Sequence, residues 1–122
     1  MSLSLDKNNA SYQIRAYTPG RIQINELIFT HSLIISPQTL LEDWEPKHIS
    51  ELVRKHLDPI VQLHPAILLI GTGEKLLFPR LEVYGDLINQ GIGVEIMDTR
   101  AACRTYTALT AEDRNVVAAL II

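Results

Sequence analysis

Residues 66–98 read AILLIGTGEKLLFPRLEVYGDLINQGIGVEIMD, and they constrain the fold more than any other part of this chain. An apolar run leads into Gly71-Thr72-Gly73, a helical pattern follows, and a second apolar segment ends at Asp98. This order is typical of a strand, a crossover helix and a second strand parallel to the first. The sequence therefore predicts an α/β fold in which residues 66–70 and 93–97 are parallel neighbours, or near-neighbours, joined by a right-handed crossover.

The N-terminal third of the chain has the pattern of an antiparallel meander. Apolar and polar residues alternate with a period of two, which places Tyr12, Ile14 and Ala16 on one face of a first strand. A type II turn follows, because Pro19 suits its second position and Gly20 its third. Three strands are predicted, over residues 12–17, 22–24 and 27–35.

Helical periodicity predicts three helices in the remainder of the chain. The first runs from Lys47 to Asp58-Pro59, which is expected to end it. Its predicted buried face is Ile49, Leu52, Val53, His56 and Leu57. The second lies between Pro79 and Gly91, with a predicted buried face of Leu81, Tyr84, Leu87 and Ile88. The third spans residues 99–109 after a cap at Asp98 or Thr99, and an apolar strand over residues 116–122 closes the chain.

Length and composition fit one domain with a substantial apolar core. The chain has 122 residues, of which 47% are hydrophobic and 20% are charged. Residues 1–11 are expected to be a disordered leader or a cloning remnant, and residues 12–122 a single α/β domain. Together these patterns predict a mixed β-sheet with helices packed on it and an antiparallel β-meander added at its N-terminal side.

Charge and cysteine content narrow the classes of partner. A net charge of −3 with scattered basic residues argues against nucleic acid as a binding partner. No apolar run approaches the roughly 20 residues that a transmembrane helix needs, and no targeting peptide is visible. The single cysteine excludes an internal disulfide and fits a reducing compartment. We therefore expect a soluble, cytoplasmic protein without a transmembrane segment.

The loop after residue 70 is the first candidate site. It begins like a dinucleotide-binding fingerprint, but Leu76 stands where the third glycine belongs, and no Gly-Lys-Ser/Thr follows as in a P-loop. Glu74 would also repel a phosphate. Two interpretations stay open: a glycine turn that releases the strand end, or a loop whose backbone N–H groups bind a small anion or a carboxylate.

Few other residues suggest chemistry. Cys103 lies near the positive end of the third helix, which would activate a nucleophile, and a buried, inert cysteine is the alternative. The four histidines lie on different elements without metal-ligand spacing, so neither a metal nor a cofactor is expected. Arg100 and Arg104, four apart on one helix face, are the best pair for an acidic ligand or partner, with a solvated surface as the alternative.

The chain resembles a small family of known proteins in two runs, ILLIGTGEKLLFP and GIGVEIMDTRAACRTYTALTAEDRNVVAALI. The resemblance also includes residues 22–25, residues 32–35 and Trp44, which precede these runs. This family of domains of unknown function was first seen as an archaeal hypothetical protein and includes a mitochondrial assembly factor for respiratory complex I. Two residues depart from the family pattern: Thr107 where asparagine is usual, and Asp113 where glycine is usual. These departures affect the expected turn after the third helix rather than the fold.

The resemblance implies a mixed sheet that carries helices, and an action through protein partners rather than through known catalysis. No established catalytic role attaches to the family's signature residues, so no catalytic residue is assigned. That signature falls on Gly71, Thr72, Gly73, Asp98, Thr99, Cys103, Arg104, Thr105 and Tyr106.

Two hypotheses of different class follow. The first is a non-enzymatic interaction domain that binds a protein partner and assists assembly of a membrane respiratory complex from the soluble side, with self-association into a homo-oligomer left open. The second is a small-molecule or anion pocket, enzymatic or not, where the glycine loop meets the start of the helix over residues 99–109. Its residues would be Gly71, Thr72, Gly73, Asp98, Thr99, Arg104 and Tyr106.

Overall fold

Residues 66–98 form the predicted strand–helix–strand unit in a computed structural model, which describes residues 8–122. The first strand, Ile67–Gly71, pairs in parallel with the second, Gly93–Met97, over five residues. A helix over Leu81–Asn89 lies between them, and Gly91 has the positive φ of +91° that its predicted place after the helix requires. The prediction of a parallel pair joined by a helix is confirmed.

Part of the predicted leader, residues 1–7, lies outside the described residues. Residues 8–11 contact the domain. The Asn8 side-chain amide donates to the Thr110 hydroxyl at 2.7 Å, and the Ser11 backbone N–H donates to the Pro37 carbonyl at 2.9 Å.

The described residues form strands, α-helices and two short 3-10 turns in a regular order. The strands are β1 (Ile14–Thr18), β2 (Arg21–Ile24), β3 (Leu27–Phe29), β4 (Leu33–Ile35), β5 (Leu40–Leu41), β6 (Ile67–Gly71), β7 (Gly93–Met97) and β8 (Val116–Leu120). The helices are α1 (Asp58–Gln62), α2 (Leu81–Asn89) and α3 (Thr99–Ala111), and the 3-10 turns are Ile49–Glu51 and Arg54–Leu57.

The strands form two sheets. The larger one is mixed and has the order β5-β4-β8-β6-β7, with β6 parallel to both of its neighbours and β4 antiparallel to β8. The smaller one is the antiparallel meander β1-β2-β3. The predicted fold class, a mixed sheet carrying helices with an N-terminal antiparallel meander, is confirmed.

The predicted third strand over residues 27–35 is wrong, because the segment divides between the two sheets. β3 pairs with β2 in the meander, whereas β4 pairs with β8 in the mixed sheet. The polar residues between them do not interrupt one strand but carry the chain from one sheet to the other. Ser32 is buried at this crossing, where its carbonyl accepts a hydrogen bond from the Trp44 backbone N–H at 3.0 Å.

The predicted face of the first strand is also wrong in part. A β-bulge between Ile14 and Ala16 shifts the register against β2 and adds one residue to β1. The alternation changes phase at this point, so that Ala16 is exposed and Tyr17 is buried. A bulge depends on the pairing partner, and the strand's own sequence does not specify it.

The predicted helix from Lys47 to Asp58-Pro59 is replaced by two 3-10 turns and then α1, which begins where the helix was expected to end. Val53 is extended, with φ −127° and ψ 167°, and separates the two turns. Pro59 lies in the first turn of α1, where a backbone N–H has no partner within the helix, so the N–H that proline lacks is not needed. The predicted face is buried at Ile49, Leu52 and Leu57, while Val53 is exposed.

The predicted buried face of α2 is rotated. Val83 and Leu87 are buried, whereas Leu81 and Ile88 are exposed. The helix covers only the edge of the mixed sheet, where β7 is the outermost strand, and it therefore buries a narrow stripe. In α3, Ala102 and Tyr106 are fully buried.

The mixed sheet separates two apolar cores. Leu68 and Ile70 of β6 pack with α1 and α2 on one face, and Leu69 packs with α3 and the meander on the other. Such burial on both faces explains the continuous apolar run of β6. The carboxyl end of β6, the start of α3 and strand β1 therefore all lie on or near one side of the sheet, where the candidate site is found.

Candidate functional site

The glycine loop after β6 is joined to the start of α3 by reciprocal hydrogen bonds. The Gly73 N–H donates to the Thr99 hydroxyl at 2.8 Å, and the Thr99 N–H donates to the Gly73 carbonyl at 2.9 Å. The Thr99 hydroxyl in turn donates to the Ile121 carbonyl at 2.7 Å. Thr99 is fully buried, so these bonds tie the ends of β6 and β8 to α3 away from water.

The Thr72 hydroxyl in this loop is also hydrogen-bonded. The Thr72 hydroxyl donates to the Lys75 carbonyl at 2.6 Å and accepts from the Leu77 N–H at 3.2 Å. Gly73 has a φ of +102°, a conformation that glycine adopts without strain. Because the Gly73 and Thr99 N–H groups bond within the protein, neither is free to bind an anion in this arrangement, and their contact is a structural junction between the loop and α3.

Asp98 and Tyr106 also have structural partners. The Asp98 carboxylate caps α3 by accepting from the Ala101 N–H at 2.8 Å, as an N-cap residue does. Tyr106 lies in the core, and its hydroxyl donates to the Tyr12 carbonyl at 2.8 Å. Burial raises the pKa of Tyr106 above its usual range. Of the predicted pocket residues, Gly73 and Asp98 line a small cavity of about 90 Å³, and Arg104 lines a larger surface depression away from this junction.

That depression is a groove of about 380 Å³ between β1 and α3, here named the arginine groove. Its polar lining comes from Arg15 and Tyr17 of β1 and from Arg100, Cys103, Arg104 and Thr107 of α3. The arginines at 100 and 104 share a face because they are one helical turn apart. Arg15 lies at the β-bulge, and the meander carries it across to α3.

The electrostatics of the arginine groove are set by positive charge. Within residues 8–122, no carboxylate forms a salt bridge with Arg15, Arg100 or Arg104. The Arg100 guanidinium carbon lies 5.5 Å from the centroid of the Tyr17 ring, a cation–π distance. Burial raises the pKa of Tyr17; Cys103, Glu74 and Asp98 raise it further, and Arg100 acts in the opposite direction.

Cys103 is a poor nucleophile in this setting. It is buried on α3, and burial raises the pKa of its thiol to about 12, although Arg100 and Arg104 act in the opposite direction. The thiolate is the reactive form, so at neutral pH very little of this side chain is reactive. The interpretation of Cys103 as a small packed side chain is favoured over that of a catalytic residue.

Iodoacetamide labelling checks this conclusion. We expect the folded protein to be labelled slowly at neutral pH, and labelling to accelerate once denaturant unfolds the chain, because unfolding exposes the thiol and restores its ordinary pKa. Mass spectrometry of the alkylated protein over time measures both rates. Labelling of the native protein as fast as that of free cysteine would contradict a buried thiol and would support the interpretation of Cys103 as a catalytic nucleophile.

A larger depression of about 540 Å³ lies where the chain passes from β3 to β4, beside His31, Trp44 and Glu45. It lacks a matching cluster of like charge, since Asp43 and Glu45 share its lining with Lys47. Within residues 8–122, no group of three His, Cys, Asp or Glu side chains is arranged to hold a metal ion. Among the helices of the described part, none is long and apolar enough to cross a membrane.

The sequence pointed to Arg100 and Arg104, but it missed Arg15 and Tyr17. Helical spacing brings the first pair together and is visible in the sequence, whereas the second pair reaches the groove only through the tertiary contact between β1 and α3. The outward-pointing Arg15 gave no signal beyond that of an exposed strand residue.

Fold and surface together define a class: a small α/β domain with a mixed five-stranded sheet, a structural glycine junction and an arginine-lined groove. The chain belongs to the family described as protein of unknown function (DUF498/DUF598), whose model matches residues 14–121. The resemblance in the sequence is thereby confirmed.

Known relatives align with nearly the whole length of this chain. A Francisella tularensis protein named 13 kDa major membrane protein is 37% identical over 99% of this chain and 99% of its own. The zebrafish (Danio rerio) NADH dehydrogenase [ubiquinone] 1 alpha subcomplex assembly factor 3 is 32% identical over 99% of this chain and 70% of its own. An NMR structure of Xanthomonas campestris XCC1710 is 38% identical, with a TM-score of 0.84 over 92% of this chain and 85% of that one.

Proposed function

We propose that this protein is a non-enzymatic, assembly-type factor that binds a protein partner through an exposed apolar segment, residues 76–81. The observation that carries the proposal is the exposure of four large apolar side chains in this short stretch. Leu76 is 49% exposed, Leu77 43%, Phe78 69% and Leu81 65%. Contiguous apolar surface on a monomeric protein typically marks an interaction site.

The apolar segment is held in place rather than left to fold on binding. Its N-terminal side is anchored by the Thr72 hydroxyl, which accepts from the Leu77 N–H, and its C-terminal side enters α2 at Leu81. Beside it lies a depression of about 350 Å³ that Ile49 and Leu52 help to line. A preorganised apolar ridge beside a depression favours binding, because less conformational freedom is lost when the partner docks.

The relatives support a protein as the occupant. One of them is named an assembly factor of a subcomplex of NADH dehydrogenase. By analogy, we propose a subunit of a respiratory complex as the partner, met from the cytoplasmic side of the membrane. The cytoplasmic location is part of this proposal. So is the absence of catalysis, which the raised pKa of the Cys103 thiol supports.

A pair of matched serine substitutions tests the surface. We expect the double variant Phe78→Ser/Leu81→Ser to retain about a tenth or less of the partner captured by the wild type, because truncating exposed anchors at an interface removes much of its binding energy. Leu27→Ser is the control, since Leu27 in β3 is 64% exposed and thus matches Leu81 at 65%. Quantitative mass spectrometry of affinity captures from the native organism measures the recovery of NADH dehydrogenase subunits.

Three outcomes would contradict the proposal. In the first, the double variant and Leu27→Ser recover the same subunits equally. In the second, sedimentation shows a wild-type dimer that Phe78→Ser/Leu81→Ser converts to a monomer, which assigns the segment to a second copy of this chain. In the third, the wild type binds phosphatidylglycerol vesicles through Phe78 and Leu81 and recovers no NADH dehydrogenase subunit, which assigns it to a lipid surface.

A further inference from the structure

We propose that the arginine groove is a binding site for a small multivalent anion, a molecule that carries a phosphate group or several carboxylates. The site differs from the apolar segment and goes beyond the protein-binding function. Three observations support it: unpaired positive charge, a buried hydroxyl without a hydrogen-bond partner, and a cavity of suitable size.

The charge of the arginine groove calls for more than one negative charge on the ligand. Three guanidinium groups line it, and none of them has a salt-bridge partner within residues 8–122. This cluster of positive charge occurs in a chain whose net charge is −3. Guanidinium groups form paired, charge-assisted hydrogen bonds with phosphates and carboxylates, and a monovalent anion would compensate only one of the three.

The floor of the arginine groove offers a further donor. Tyr17 is more than nine-tenths buried, and its hydroxyl is the buried side-chain polar atom without a hydrogen-bond partner among the described residues. Buried polar groups are normally paired, so this hydroxyl calls for a bound group as its partner. Arg100 lies over the Tyr17 ring, and Cys103, Glu74 and Asp98 are all close enough to affect the pKa of its hydroxyl. The hydroxyl therefore lies where the groove adjoins a smaller cavity lined by Glu74 and Asp98.

The dimensions favour a small molecule over a peptide. The volume of about 380 Å³ is near the lower end of the roughly 300–1,000 Å³ typical of small-molecule sites. A smaller cavity of about 90 Å³ shares Tyr17 and Arg100 with the groove and is also lined by the acidic residues Glu74 and Asp98. The arginines that line the groove but not this acidic cavity are Arg15 and Arg104.

Titration with pyrophosphate and with citrate, at constant ionic strength, tests this site. We expect saturable changes in the ¹H–¹⁵N NMR signals of residues 15–17 and 100–104 of the full chain. Arg15→Gln and Arg104→Gln should each weaken binding by about tenfold, since each removes charge-assisted hydrogen bonds. Arg114→Gln is the charge-matched control and should leave binding unchanged, because Arg114 is an exposed residue near the opposite end of α3.

Tyr17→Phe separates a binding role from a merely structural one. Without ligand, this variant should melt at a higher temperature than the wild type, because it removes an unsatisfied buried hydroxyl. It should also bind pyrophosphate and citrate more weakly. A structural role alone would change the melting temperature and leave the affinity intact, which would contradict the assignment of this hydroxyl to the site.

Other results would overturn the proposal as a whole. Equal weakening by Arg15→Gln, Arg104→Gln and Arg114→Gln would show unspecific attraction to net charge. Binding of a poly-glutamate peptide or of phosphatidylglycerol vesicles, with no saturable response to pyrophosphate or citrate, would assign the groove to an acidic protein segment or a lipid headgroup. The double variant Phe78→Ser/Leu81→Ser should bind both anions normally, so failure of the protein-partner proposal leaves this one intact.

Discussion

Replacing Gly71 with alanine is expected to lower the free energy of unfolding by about 1–3 kcal/mol, the usual cost of forcing extra volume into a packed site. A Cβ at this position would lie 2.9 Å from the Thr99 Oγ1 and 3.1 Å from the Thr99 Cα. It would also lie 2.9 Å from a terminal carbon of Leu120, which is flexible and can move. Thr99 cannot move easily, because its hydroxyl and N–H are both bonded to the glycine loop.

Gly85→Ala is the control for this substitution. A Cβ at Gly85 would meet its nearest neighbour, Leu81, at 3.6 Å, an ordinary contact, and Gly85 lies inside α2. Alanine is the better helix former, so this variant should gain up to about 1 kcal/mol. Urea unfolding followed by the fluorescence of the buried Trp44 measures both variants. If Gly71→Ala were as stable as the wild type, the close approach to Thr99 would be relaxed at little cost, and Gly71 would need another explanation.

The parts of the fold that the sequence predicted are those that local pattern determines. The apolar run over residues 66–70 predicted a strand, and β6 spans Ile67–Gly71. A cap was predicted at Asp98 or Thr99, and the Asp98 carboxylate accepts from the Ala101 N–H. For both the strand and the cap, the deciding pattern lies within a few residues along the chain.

The parts that were wrong depend on distant partners. The split of residues 27–35 is decided by β8, which pairs with β4 from the other end of the chain. The bulge in β1 is decided by its register against β2. The helical spacing in residues 49–57 was real, but Val53 breaks the helix, and tertiary packing buries the two 3-10 turns separately. Periodicity alone does not contain these contacts.

The same distinction between local pattern and distant contacts applies to the candidate site. The glycine loop and the start of α3 meet, because the carboxyl ends of parallel strands lie at one edge of a sheet. The N–H groups of Gly73 and Thr99, however, each donate to an acceptor of the other residue. The open surface is formed instead by α3 with β1, through contacts between residues distant in sequence, such as Tyr17 and Arg100, which are 83 positions apart.

Thr99→Val is expected to lower the free energy of unfolding by about 2–4 kcal/mol, since it leaves two buried polar groups without partners. Valine keeps the shape of threonine but loses the hydroxyl that accepts from the Gly73 N–H and donates to the Ile121 carbonyl. Thr99 is fully buried, so water cannot replace either bond. Thr99→Ser retains the hydroxyl and should cost about 1 kcal/mol or less, the effect of one lost methyl group. Urea unfolding compares the two.

Thr110→Val provides a second control at a buried threonine with a different hydrogen-bond pattern. The Thr110 hydroxyl donates to the Tyr106 carbonyl one turn earlier in α3, and this carbonyl also has a backbone partner within the helix. The hydroxyl also accepts from the side-chain amide of Asn8, a partly exposed residue that water can reach. Its loss should therefore cost less than that of the Thr99 hydroxyl. If Thr99→Val proved as mild as Thr110→Val, the bonds between the glycine loop and α3 would be weak. The Gly73 N–H would then be available to a ligand, and the anion-binding interpretation of the loop would gain support over that of a structural junction.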